Sequence, residues 1–150
     1  MNPEQIFSIL NLTALAAWVL LILLPRVRWV THVVPVVVPV ALAVVYVALL
    51  AASLGKAEGG FSSLAAVRAL FDNPLALLAG WAHYLAFDLF IGGWEIRDSQ
   101  QRGISHLFIV PVLILTFLFG PVGLLLYFAI SRFVPNAGRA RSAAAIARDS

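Results

Sequence analysis

The sequence predicts an all-α membrane protein, a four-transmembrane-helix bundle with a short interfacial helix between helices 2 and 3. Three observations predict it. Of the 150 residues 62% are hydrophobic and 11% charged, more apolar surface than one soluble domain can hide, so lipid is the expected solvent. Four stretches nearly free of charge, Ile6 to Leu24, Val30 to Leu54, Pro74 to Trp94 and His106 to about Ile130, reach the length of roughly 20 residues that a bilayer demands. Within the third, the run GWAHYLAFDLFIGGWEIRD at 80–98 brings ionisable groups into an otherwise apolar span.

The expected organisation is a four-helix transmembrane domain over 1–133 and an Ala- and Arg-rich tail over 134–150, disordered or surface-bound. The first apolar run follows Met-Asn-Pro-Glu-Gln, with no basic segment before it and no Ala-x-Ala pattern ahead of Pro25, so it reads as a retained helix rather than a signal or transit peptide. In it Ser8, Asn11 and Trp18 fall within a band of about 80°, a polar stripe turned toward the other helices. Asn11 reads there as packing glue. The short turn Pro25 to Trp29 makes helices 1 and 2 antiparallel neighbours.

In helix 2, Pro35 and Pro39 each remove a backbone donor, freeing the carbonyls of Thr31 and of residue 35. Freed groups at membrane depth need partners within the bundle, and a kink beside His32 would open a cavity there. The segment 55–63 is loop; Ser62 or Ser63 then caps a short helix with Leu64, Val67 and Phe71 on one side and Arg68 at the edge of that side, the pattern of an interfacial helix. Asn73 and Pro74 form a cap and first-turn pair for helix 3. In helix 4, Thr116, Gly120, Gly123 and Tyr127 lie within about 60°, a face suited to close approach, while Pro111 and Pro121 imply local distortion.

Several function classes are excluded. The chain has no cysteine, hence no disulfide, thiolate metal site or cysteine nucleophile. Its net charge of +3 rests on arginines in short loops and the tail, whose natural partners are lipid headgroups and not nucleic acid. Nucleophile elbow, Walker loop and dinucleotide glycine motif are absent.

On helix 3 the residues Trp81, Asp88 and Glu95 recur every seven positions and drift only about 20° per step, flanked by Tyr84 and Gly92. His83, Phe87, Phe90 and Trp94 occupy roughly the opposite face. A carboxylate at membrane depth costs roughly 2.5 to 3.5 kcal/mol on insertion scales, so such an Asp faces the bundle and has a task. Antiparallel threading of four spans puts His32, Glu95, Asp98 and His106 at one membrane face, with Asp88 and His83 deeper, as one funnel. Such groups suit acid and base steps or a divalent metal. No metal and no cofactor are expected, because the spacing matches no closed site. Lys56, Arg68, Arg132, Arg139, Arg141 and Arg148 at the face with both termini, against Arg26, Arg28, Arg97 and Arg102 opposite, favour cytoplasmic termini.

The run at 80–98, with GISH at 103–106 and LTFLFGPVGLLLY at 115–127, resembles the neoxanthin-synthase-like family of integral membrane proteins, the abscisic-acid-deficient type, over roughly residues 6–133. The resemblance implies a carotenoid substrate class and, for the plant members, isomerisation of a 5,6-epoxycarotenoid to an allenic alcohol. It assigns no residue roles. From the chemistry, Asp88 is the expected base and Glu95 or His106 the acid, with His32, Trp81, His83, Tyr84, Phe87 and Trp94 in contact with a hydrophobic isoprenoid or carotenoid. The alternative is a non-enzymatic carotenoid- or lipid-binding subunit or a small proton-coupled transporter in which Asp88 titrates, the latter leaning on a homo-oligomer. The expected location is a cell membrane, multi-pass, as in a bacterial inner membrane.

Overall fold

A computed structural model describes residues 2–134, and among them every regular element is a helix. The helices are α1 (Pro3–Leu23), α2 (Arg28–His32), α3 (Val34–Ser53), α4 (Leu64–Phe71), α5 (Pro74–Arg102), α6 (His106–Phe119) and α7 (Pro121–Arg132). The tail expected at 134–150 lies, apart from Val134, outside the described residues.

Three helices, α1, α3 and α5, are long and apolar enough to cross a membrane. α1 starts on a capping box, in which Asn2 accepts from the Gln5 backbone and the Gln5 side chain accepts from that of Asn2. α5 starts as Asn73 and Pro74 predict, with the Asn73 side chain accepting from the Leu75 and Ala76 backbones. Ser63 caps α4, whose Phe71 ring packs on Gly80 of α5. The second apolar stretch divides at Val33 into α2 and α3. Pro35 there cannot donate to Thr31, and the guanidinium of Arg97 donates to the Thr31 carbonyl instead, at 2.9 Å. The freed carbonyl thus finds its partner on α5.

α5 is the axis of the molecule. Small residues let its neighbours approach: Gly92 lies under the buried Trp18 indole of α1 and Gly93 under the Pro35 ring, and a Cβ at either glycine would collide. Ala79, Ala82 and Ala86 are buried with them, beside Leu42 and Leu49 of α3 and Leu10 and Ala14 of α1.

The fourth expected span is not one helix. The stretch from His106 breaks at Gly120, whose φ of 41° and ψ of −92° no helix continues. Pro121, which has no N–H to donate, opens α7 as its first residue. α7 then turns back along α6. Gly123 packs directly on the Thr116 backbone, Tyr127 donates to Asp98 and meets the Trp94 ring at 5.2 Å, and Arg102 reaches the Ser131 carbonyl at 3.4 Å. The tip of this hairpin lies against Asp88 and both its ends lie near the C-terminal end of α5. Its arms of 14 and 12 residues are about 21 and 18 Å long, short of a hydrocarbon core of about 30 Å. The architecture is therefore three long helices with a helical hairpin, in place of four complete spans.

Candidate functional site

The stripe predicted on α5 exists, and the hairpin decides how each of its members is housed. Trp81 retains 37% of its exposure, Asp88 is partly buried, and Glu95 is 0% exposed. The gradient follows from coverage. α6 and α7 lie over α5 from Asp88 to Arg102 and leave the turns before Asp88 open.

Under the hairpin, Thr116 supplies the hydroxyl facing both carboxylate oxygens of Glu95, at 3.1 and 3.0 Å. One hydroxyl proton serves the two. One turn further on, Asp98 accepts from Arg102 and from Tyr127, an ion pair and hydrogen bond that close this end of the stripe. Asp88 sits at the hairpin tip. A Cβ at Gly120 would lie 2.7 Å from its Oδ1 and 3.1 Å from its Oδ2, so only glycine admits the carboxylate at this turn. Its Oδ2 is buried with no hydrogen-bond partner among the described residues. A buried polar atom left unpaired costs about 1–3 kcal/mol, and a fold that keeps one invites a functional explanation.

Before the tip, the uncovered part of the stripe forms one wall of a groove of about 460 Å³ between α1, α5 and the end of α6. Asn11, Leu15, Trp81, Tyr84, Phe117 and Leu118 line it. The Trp81 and Tyr84 rings stack at 5.2 Å, and the Tyr84 hydroxyl donates to the Phe117 carbonyl at 3.1 Å. Trp81 also borders a second groove, of about 290 Å³, which runs past Phe7 and Leu77 toward Glu4. The two grooves share Trp81 on the α1 and α5 seam, and the first reaches Tyr84, one helical turn from Asp88.

The structure distributes the three histidines over three different places, so the expected funnel of histidines and acids does not form. His32 is exposed and its Nδ1 donates to the Arg28 carbonyl at 2.9 Å. His83 is exposed on the far side of α5, stacked on Phe87 at 4.5 Å and near Tyr46. His106 starts α6 and its Nε2 donates to the Ile22 carbonyl at 2.8 Å, satisfying the end of α1. From there to the hairpin tip is 14 residues, about 21 Å of helix. Trp94 packs on Tyr127 and Phe128 of the hairpin, away from the groove. Among the described residues no three of His, Asp and Glu gather closely enough to hold a metal ion.

Asn11 accepts from the Trp81 indole at 2.9 Å, the bond between helices expected of packing glue, and it also lines the groove. Thr116, expected only to allow close approach, is the partner of Glu95. A threonine at the same seven-residue interval from Gly123 as Asp88 from Glu95 was the available signal, and its reading depended on knowing that the chain turns at Gly120.

A family model described as ABA DEFICIENT 4-like matches residues 5–127, which include the stripe and every groove residue named above except Glu4. No curated protein and no solved structure matches the chain.

Proposed function

The chain belongs to the ABA DEFICIENT 4-like family, and we propose that it is an integral membrane isomerase acting on a carotenoid or related isoprenoid by acid and base steps without net redox. One observation carries this reading: an unpaired buried carboxylate oxygen on Asp88 stands a single turn beyond an apolar, aromatic-lined groove open along two long helices. The groove suits a long hydrocarbon chain, and the carboxylate suits a proton acceptor for the end group that such a chain would deliver.

For an epoxide opening to an allene, Asp88 removes the vinylic proton, and the electron pair of that C–H bond forms the new double bond. The adjacent C–O bond of the epoxide breaks and its oxygen takes a proton from the protein, so one proton is taken up by the protein, one is given back, and the product is an isomer. The donor nearest Asp88 on the stripe is the Tyr84 hydroxyl, one turn away on the groove side. Glu95 lies seven residues past Asp88, about 10 Å along the axis. That distance suits it to restoring the proton balance of Asp88 between turnovers. His106, bonded to the end of α1, is left out of this scheme.

A second reading, the proton-coupled transporter, is favoured by the hairpin itself, since irregular backbone at membrane depth is tolerated where it is buried in protein or lines a pathway. The hairpin also brings Arg132 to the end of the three long helices that carries Arg26, Arg28, Arg97 and Arg102, against Lys56 and Arg68 at the other. Such a distribution favours a cytoplasmic end at the 25–27 turn, the reverse of the cytoplasmic N-terminus expected from four spans.

The test is pigment and lipid profiling of cells with and without the protein, and with Asp88→Asn at matched membrane levels. An isomer of unchanged mass that appears with the native chain and falls at least about 100-fold with Asp88→Asn supports the isomerase. A pigment retained unchanged by both chains supports a binding subunit, and proton flux lost with Asp88→Asn without any new isomer supports the transporter.

A further inference from the structure

The groove holds a polar group that the isomerase reading leaves unused. An indole N–H only donates, so its bond to Asn11 fixes the amide oxygen toward Trp81 and turns the amide nitrogen the other way. That nitrogen carries two N–H donors and forms no hydrogen bond to any described residue, on a side chain that lines the groove. Asn11 lies seven residues past Glu4 on a helix long enough to span, hence about 10 Å deeper than the last charged group of α1. The acyl chains of ordinary phospholipids carry no oxygen at that depth. An oriented amide donor in hydrocarbon is costly unless something accepts from it.

We propose that Asn11 is the specificity-determining residue of this groove, donating from its amide nitrogen to an oxygen on the end group of a bound isoprenoid. Trp81 is the positioning residue, because it holds the amide with the donors outward. The inference rests on the isoprenoid reading above and adds to it the residue that selects an oxygenated end group over a hydrocarbon one. With the oxygen at Asn11, the end group lies against Tyr84 and Phe117, at the end of the groove nearest the hairpin tip and Asp88. The apolar chain then follows the second groove past Phe7 and Leu77.

The test measures equilibrium binding of two probes to the full chain in lipid nanodiscs: a carotenoid hydroxylated on its end rings and the parent hydrocarbon carotenoid. The native chain is expected to prefer the hydroxylated probe about threefold to tenfold, the range of one net hydrogen bond. Asn11→Leu should bring that ratio to about one, and Asn11→Ala repeats the measurement if the leucine variant does not fold. Trp81→Phe, which frees the amide to flip, should lower the ratio while Asn11 is still present. Binding of both probes without preference by the native chain, or a preference that survives loss of Asn11, overturns the assignment and leaves the isoprenoid reading standing. Failure of both probes to bind overturns both.

Discussion

The two halves of α5 carry the same kind of stripe and house it in opposite ways. From Asp88 onward the hairpin supplies a partner for the acids at Glu95 and Asp98, through Thr116 and Tyr127, and Arg102 of α5 itself adds an ion pair to Asp98. Before Asp88 the stripe is aromatic, its polar groups are spread thinly, and the covering element stops short, leaving a groove. The boundary between the regimes is Gly120. The lesson is that a polar stripe along a membrane helix does not mark a site by itself; the proposed site is where the cover ends and a carboxylate oxygen remains unpaired.

This comparison predicts a graded response to substitution. In the covered half, Thr116→Val keeps the shape but leaves the buried Glu95 carboxylate without its donor, and should cost about 1–3 kcal/mol of stability in mixed-micelle unfolding. At the boundary, Gly120→Ala puts a side chain at a positive φ and against Asp88, which should cost at least about 1–2 kcal/mol. In the open half, Tyr84→Phe removes one partly buried hydrogen bond and should cost only about 0.5–1.5 kcal/mol, while lowering isomer formation in the pigment assay. Equal costs at Thr116 and Tyr84 would dissolve the distinction between the halves.

Much of this architecture was legible in the sequence, because bilayer thickness imposes a length that α1, α3 and α5 meet and because caps such as Asn73-Pro74 act locally. Pro35 even announced a carbonyl at Thr31 in need of a partner, though not that Arg97, 66 positions away, would provide it. The hairpin was hidden by the same length rule: the stretch from His106 to Ile130 is long and apolar enough to pass for a span. Its one local sign is Gly120 followed by Pro121, a stop and a start in adjacent residues. The site was readable as a stripe on one helix. Which acids are satisfied, and that Asn11 answers Trp81 from 70 residues away, depended on tertiary neighbours that periodicity does not encode.

The hairpin is the claim on which the rest depends, and membrane sidedness tests it most directly. Glu58, Gln101 and Phe133 are exposed, and the chain has no cysteine of its own. Single cysteines at these positions would be labelled with a membrane-impermeant maleimide in sealed vesicles of uniform orientation. The structure predicts that positions 101 and 133 label from the same side and position 58 from the other, because α7 returns to the end from which α6 set out. Labelling of 133 together with 58 would restore a fourth complete span, remove Gly120 from Asp88, and contradict the account given for the site.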